Sequence, residues 1–277
     1  MADGNSINRL FLKKILYRFD FQFITERIQE EVYSFIAETY GDQFSEKTQE
    51  MASEFDVEID VAIPEKPKIN RKSQAVFVFR QPRTDDCDGR TLKLGRTFCF
   101  LELDLRQETM GILYYDWIAK IIEKLKTYQI FSLTRVGLRK YNNFFILDCD
   151  KARLDDIFKI DYLSNITCDD FELDNFANMQ EYIYGDYRLR FTKSYSSGIL
   201  SNQTMKIDNE LGHQISFDFD MYTEADRALD KFTEDASKHL EDINANIRTF
   251  FNRCINDEII EKLDAGEDLK EYGVIAF

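Results

Sequence analysis

Apolar and polar residues alternate at several places along the chain, and these stretches follow one another in runs. Phe19, Phe21 and Phe23 alternate with polar residues, and residues 55–61 alternate between apolar and acidic side chains. A period of two is typical of a strand with one buried face. Strands in consecutive runs, rather than one for one with helices, favour antiparallel pairing and argue against a doubly wound parallel sheet.

The first half of the chain combines strand-like stretches with two helical ones. The predicted strands cover residues 12–23, 55–61, 75–79, 91–105 and 133–147. Thr25 can cap a helix that continues to about Tyr40, because apolar residues recur there at helical spacing. A second helix begins at Trp117, with Asp116 as its cap.

The second half opens at residues 151–176, a segment rich in Asp, Asn and Ser and the best candidate for a boundary. Strands are predicted at 180–185, 187–195, 203–208 and 214–222, with turns at 185–186, 196–202 and 210–212. One long amphipathic helix follows over residues 224–252. A shorter helix covers Asn256 to Leu263.

Together these elements predict an α+β fold with antiparallel sheets backed by helices on one face. The predicted order is β-α-β-β-β-α-β, then β-β-β-β-α-α. Residues 1–150 form the N-terminal α+β half, and residues 151–277 form a C-terminal β-meander with the long helix. We expect the two halves to pack as one unit. Both halves place strands before helices, which leaves a pseudo-duplication open.

The charge and cysteine content exclude several classes of protein. The chain has 36 Lys and Arg against 51 Asp and Glu, a net charge of −15. Such a surface repels phosphate backbones and anionic membrane leaflets, so it disfavours bulk nucleic-acid binding and membrane binding. The five cysteines form no CxxC pair, and neither a signal peptide nor a membrane-spanning apolar run is recognisable. We therefore expect a reduced, cytoplasmic protein.

The most distinctive segment is residues 135–142, with the sequence RVGLRKYN. It resembles the R-x-G-L-R-Y-x-N signature of a sporadically distributed, functionally uncharacterised bacterial protein family of about this length. The helix start at 115–117 and the strand at 217–220 before the long helix are similar to the same family. At Lys140 the chain departs from the signature, which has Tyr there. The resemblance implies a single α+β unit from a bacterium or phage and supplies no catalytic residues.

Catalytic motifs are missing from the sequence. No phosphate-binding glycine loop, dinucleotide fingerprint, zinc-protease motif or nucleophile elbow occurs. We therefore predict no catalytic residue, no cofactor and no metal site. One alternative uses Glu102 with Asp104 and Asp218 with Asp220, because each pair shares a strand face and could hold Mg²⁺ or Mn²⁺. The same carboxylates equally suit a solvated sheet face on which acidic and basic strands pair.

The predicted ligand- or partner-binding residues lie on two strands: Arg135, Gly137, Arg139, Tyr141, Asp218 and Asp220. Alternation places the first four on one strand face. Gly137 leaves room between two arginines, and two arginines can grip a carboxylate or phosphate through paired hydrogen bonds. The structural alternative is that the arginines are bridged to the two aspartates.

These observations favour a non-enzymatic binding protein of the bacterial cytosol that docks a protein partner or a small anionic ligand. The scattered distribution of the similar family implies mobile genes and hence a host–phage defence setting. The 224–252 helix suits a homodimer contact, because it is longer than the core of a small domain can cover. A metal-dependent nuclease or phosphodiesterase is the alternative function, and an acidic mimic of nucleic acid is a third hypothesis.

Overall fold

The computed structural model describes residues 11–58, 68–84, 87–105, 114–147, 154–159, 175–202 and 207–275. Its strands are β1 (Leu12–Phe21), β2 (Glu46–Glu58), β3 (Lys68–Gln81), β4 (Gly89–Leu94), β5 (Phe98–Asp104), β6 (Leu133–Leu147), β7 (Asn175–Tyr184), β8 (Tyr187–Asn202), β9 (Ile207–Thr223) and β10 (Val274–Ile275). They form one sheet in the order β2-β3-β4-β5-β1-β6-β9-β8-β7, and β10 pairs with the end of β6. The pairing is antiparallel throughout these strands.

The helices pack on one face of this sheet. They are α1 (Glu26–Tyr40), α2 (Tyr115–Lys126), α3 (Leu154–Ile157), α4 (Asp226–Glu234), α5 (Ala236–Cys254) and α6 (Asp257–Asp264). Aromatic rings join helices to strands: Tyr33 lies 4.3 Å from Phe77, and Phe250 lies 5.4 Å from Phe191, measured between ring centroids. These contacts place the hydrophobic core between the sheet and the helices.

No helix of the described residues packs on the other face of the sheet, which we call the open face. A row of neighbouring residues across five strands marks it: Phe100, Arg18, Gly137, Tyr222 and Arg188. Charged side chains are common on this face, as expected for an antiparallel sheet with one solvated side. The open face carries all six of the predicted binding residues, because they alternate with core residues along β6 and β9.

The α+β class is confirmed, and the antiparallel strands form a single continuous sheet rather than several sheets. Strand β6, from the first half of the chain, pairs with β9, from the second, between Val136–Thr223 and Leu147–Gly212. The central pairing of the sheet therefore crosses the boundary predicted near residue 150. Helix α1 and strand β6 were predicted within a residue of their ends, and Thr25 caps α1 by accepting a hydrogen bond from Ile28 N at 3.4 Å.

Three predictions in the first half are wrong in detail. The single strand predicted at 91–105 is two strands, β4 and β5, joined by a tight turn at Gly95–Thr97 in which Gly95 N donates to Phe98 O at 2.9 Å. Helix α2 begins at Tyr115, so Asp116 lies in its first turn and is not its cap. Strand β2 starts at Glu46, well before the alternating stretch at 55–61, and residues 59–67 lie outside the described part.

In the second half, strand β8 is longer than predicted. Residues 207–223 form the single strand β9, although separate strands were predicted at 203–208 and 214–222, and residues 203–206 lie outside the described part. Residues 196–202 and 210–212 were predicted as turns, but they belong to β8 and β9, and residues 198–200 pair with residues 210–212. The predicted 224–252 helix is two helices, because Asp235 ends α4 and its carboxylate accepts from Lys238 N at 3.1 Å to cap α5. Most of the 151–176 segment lies outside the described residues. No helix among the described residues is long and apolar enough to cross a membrane.

Candidate ligand-binding site

Arg139 on the open face is held by a carboxylate of the neighbouring strand. Its Nε and Nη2 atoms donate to the two oxygens of Asp218 at 2.8 and 2.5 Å. This paired geometry raises the pKa of the Arg139 guanidinium, mainly through its hydrogen bonds to Asp218. The side chain of Asp218 is only 13% exposed. The bridge between these two predicted residues fits the structural alternative, in which the arginine stabilises the sheet.

Arg135 is also surrounded by acceptors. Its guanidinium lies 3.4 Å from Asp220 and 3.8 Å from Asp20, and it stacks over the ring of Tyr222 at 4.4 Å. Burial raises the pKa of Asp220, although Arg135 and Arg139 act in the opposite direction. The positive charge of Arg135 is therefore already balanced inside the sheet.

The gap predicted at Gly137 is filled from the next strand. A Cβ atom at Gly137 would lie 3.0 Å from Tyr222 Cβ and 3.2 Å from Met221 O, so the glycine admits the close approach of β9. Tyr141, the last of the predicted residues on β6, shares a hydrogen bond of 2.9 Å with the hydroxyl of Ser216. The structure thus brings the predicted residues together, and Arg135, Arg139 and Tyr141 each have a partner on β9.

The carboxylates of the alternative nuclease hypothesis are similarly engaged. Glu102 lies 3.2 Å from Lys14, and Asp104 lies 3.4 Å from Arg83. Within the described ranges no group of three or more His, Cys, Asp or Glu side chains is placed to hold a metal ion. Basic neighbours of this kind are what the open face of a charged antiparallel sheet requires.

Sequence reasoning missed a site on the other side of the same strand. Between Arg139 and Tyr141, which point to the open face, Lys140 points toward the helices and is only 6% exposed. Its Nζ atom donates a hydrogen bond to the side-chain oxygen of Asn244 on α5. Within the described part of the chain, Lys140 forms no ion pair with a carboxylate.

Lys140 lines a cavity of about 410 Å³ between the sheet and helices α5 and α6. A volume of this size is within the range of small-molecule sites. Its apolar walls come from both layers: Leu12, Phe219, Ile247, Phe251, Ile260 and Leu263. Its polar lining includes these side chains: Lys140, Asn142, Asn244, Arg248, Glu241 and Asp264. The cavity therefore combines apolar walls with polar groups that include both cations and carboxylates.

The electrostatics of the cavity centre on its lysine. Burial, and secondarily the nearby Arg248 guanidinium, lowers the pKa of Lys140 to about 7. Arg248 contacts Asp264 at 3.2 Å, and both side chains are partly exposed, as is expected of groups near a cavity mouth. A lysine of this kind changes charge in the physiological pH range, and it can act as a cation or as a neutral amine.

The signal that could have located this site is a single sequence position. Lysine is costly at a core-facing strand position unless it is paired, and Lys140 follows the alternation of a strand whose inward residues are otherwise mostly apolar or amide-bearing. The departure from the R-x-G-L-R-Y-x-N pattern falls at the same residue. The sequence alone does not show that helix α5 leaves a cavity there.

The chain matches no protein-family model, no curated protein and no solved structure.

Proposed function

We propose that the protein is a non-enzymatic binding protein whose cavity at Lys140 takes a small anionic ligand with an apolar part. One observation carries this proposal. The buried side chain of Lys140 lines a cavity, and its ammonium group donates a hydrogen bond to the neutral amide of Asn244.

A buried amine such as that of Lys140 carries a free-energy cost when it is charged. An ammonium group moved from water into an apolar interior is strongly disfavoured unless an opposite charge lies beside it. The arginines of the open face have such partners in Asp218 and Asp220. A ligand carboxylate or phosphate in the cavity would supply the equivalent partner for Lys140.

Two further features support an amphipathic anion. Arg248 is a second cation in the wall of the cavity, where it also contacts Asp264 at 3.2 Å. The apolar walls formed by residues such as Phe219 and Ile247 suit a hydrocarbon or aromatic group. We therefore propose that the ligand binds in the cavity rather than at Arg135 and Arg139. The prediction that these arginines contact a ligand or partner is tested in the same experiment.

The test measures binding of small anions by isothermal titration calorimetry. A panel of phenyllactate, phenylphosphate and hexanoate is titrated into the wild type, Lys140→Met and Arg139→Ala. Lys140→Met keeps an unbranched side chain and removes the amine, and Arg139→Ala is the matched control on the opposite face of the same strand. We expect at least one anion to bind the wild type and Arg139→Ala, and to bind Lys140→Met at least tenfold more weakly.

The opposite pattern would overturn the proposal. If Lys140→Met is folded by circular dichroism and binds the anion as tightly as the wild type, the lysine does not hold the ligand. Loss of binding in Arg139→Ala alone would move the site to the open face and support the arginine pair instead.

A further inference from the structure

We propose that Lys140 holds its ligand as an imine, which makes the ligand a small 2-oxo acid with an apolar side chain. This inference rests on the proposed function, because it names the ligand class for the same cavity and adds a covalent bond to the binding. The site remains a binding site, since the bond is reversed by water and no product is released.

The amine of Lys140 differs from those of other lysines in its surroundings. Lys14, Lys93 and Lys159 form ion pairs with carboxylates at 3.2, 2.9 and 2.6 Å. Lys140 instead faces a cavity and an amide oxygen. A desolvated lysine beside another cation is the arrangement that makes an amine nucleophilic at neutral pH.

Charged side chains from both neighbouring helices line the cavity together with Lys140. Helix α5 contributes Arg248 and Glu241, and the end of α6 contributes Asp264, whereas the cavity residues from β1 and β9 are apolar. Arg248 lies close enough to disfavour a second positive charge, and the pKa of Lys140 is accordingly about 7. Near neutral pH a much larger fraction of the Lys140 amines is therefore uncharged than for an ordinary lysine.

The covalent bond forms by condensation of the amine with the ketone group. The lone pair of the neutral Lys140 amine attacks the carbonyl carbon of the 2-oxo acid, and a proton passes from nitrogen to oxygen to give a carbinolamine. The carbinolamine loses its hydroxyl group and the remaining nitrogen-bound proton as one water molecule, and a carbon–nitrogen double bond forms. Amine and oxo acid thus give imine and water, so neither an oxidant nor a reductant is required.

The carboxylate of a 2-oxo acid fits the same surroundings. It lies one bond from the carbonyl carbon, so it remains inside the cavity when Lys140 forms the imine. A guanidinium has five donors, so Arg248 can bind a ligand carboxylate while it also contacts Asp264. The apolar side chain of the acid would then lie against the hydrophobic walls.

The experiment traps the imine by reduction. The wild-type protein is incubated with phenylpyruvate and sodium cyanoborohydride at pH 7, and the modified residues are identified by mass spectrometry of peptides. Phenyllactate, which has a hydroxyl group in place of the carbonyl, is the matched control. We expect an adduct on Lys140 with the mass of phenylpyruvate less one oxygen atom, formed at least tenfold faster than on any other lysine. Phenyllactate should give no adduct and should slow trapping when added with phenylpyruvate.

A second buried lysine provides an internal control that needs no variant. Burial lowers the pKa of Lys13 to about 7 as well, but Lys13 lies beside Arg83 and Asp104 and does not line the cavity. Equal trapping of Lys13 and Lys140 would mean that basicity alone decides the reaction, and it would overturn the inference. The variant Lys140→Arg, which keeps a positive charge but cannot form this imine, should give no adduct in the 133–147 strand.

The outcomes separate this inference from the proposed function. If phenyllactate binds and depends on Lys140 while phenylpyruvate leaves Lys140 unmodified, the imine is wrong and the anion-binding function stands. If neither compound binds, the imine proposal is overturned. Binding of phenylphosphate or hexanoate to the wild type and to Lys140→Met then tests the proposed function.

Discussion

Arg139 and Lys140 are neighbours on one strand, yet their surroundings are opposite. The side chain of Arg139 is 51% exposed and forms a paired bridge to Asp218 on the open face. Lys140 is 6% exposed and faces an amide oxygen and a cavity. The alternation of β6 produces this contrast, because successive side chains of a strand point to opposite faces. One cation therefore stabilises the sheet and the other carries a free-energy cost that a ligand can relieve.

This cost predicts how the stability of the protein depends on pH. The pKa of Lys140 is about 7 in the folded state and about 10.5 when the chain is unfolded. Below pH 7 both states are protonated and the full cost of burying the charge applies. Between pH 7 and 10.5 only the unfolded state binds the proton, so this group makes the wild type more stable by up to about 1.4 kcal/mol per pH unit as the pH rises.

Lys140→Met removes this dependence. We expect the variant to be more stable than the wild type at pH 6, and its advantage to shrink steadily as the pH rises toward 9.5. Urea denaturation at several pH values measures both trends. Arg139→Met is the control, because an arginine stays protonated in both states over this range and cannot change the slope. If the difference in unfolding free energy between Lys140→Met and the wild type does not change with pH, folding does not lower the pKa of Lys140.

Helix α1 is fixed to the sheet by a polar side chain as well as by its apolar stripe. Gln29 is buried, and its amide nitrogen donates to Ala75 O at 2.9 Å and to Leu94 O at 3.0 Å. The pairing of β3 with β4 ends at Phe77 and Leu94. The carbonyl groups of Ala75 and Leu94 therefore lie at the end of this pairing. One helix residue thus satisfies acceptors from two strands.

Replacing this amide should weaken the attachment of helix α1 to strands β3 and β4. We expect Gln29→Leu to lower the free energy of unfolding by about 2 kcal/mol, because two carbonyls lose their donor in a part-buried or buried setting. Equilibrium urea denaturation measures the change. Gln22→Leu, at an exposed position, is the matched control and should change the stability by less than about 0.5 kcal/mol. A similar small change at Gln29 would mean that water replaces the amide.

Elements with a strong period were predictable, and their interruptions were not. Helix α1 and strand β6 follow directly from periods of 3.6 and 2, and the structure confirms both. Residues 196–202 contain Ser and Gly, which favour turns, but they pair with β9 as part of strand β8, so tertiary context overrides local preference. The break at Asp235 depends on a cap whose carboxylate must turn back to Lys238 N, and the apolar stripe continues across it.

In the candidate site too, the features set by strand alternation were predictable, and those set by packing between elements were not. Alternation placed Arg135, Gly137, Arg139 and Tyr141 correctly on one face, and the opposing aspartates were correctly considered as their partners. The cavity at Lys140 required knowledge of how α5 and α6 pack against the sheet. No local pattern fixes the space left between two helices and a strand, since that space depends on long-range packing.

Across the whole molecule, the sheet joins the two halves of the chain through its central strands. Residues 133–147 of β6 bond to β1 on one side and to β9 on the other, so β6 belongs to both halves. The core on the helix side is likewise continuous: one cluster of buried side chains includes Cys99 of the first half and Cys254 of the second. Unfolding either half alone would leave the edge of β6 and much of this core exposed, which disfavours separate unfolding.

We therefore expect Cys99 and Cys254 to become reactive at the same urea concentration. Both thiols are fully buried, and burial raises the pKa of both, that of Cys254 to about 12, so the folded protein protects them from alkylation. Brief labelling with iodoacetamide across a urea series, followed by peptide mass spectrometry, gives one midpoint for each residue. Cys87, which is only half-buried, is the control and should react before the transition. If Cys254 reacts at clearly lower urea than Cys99, the second half unfolds by itself, and the continuous sheet does not make the halves one cooperative unit.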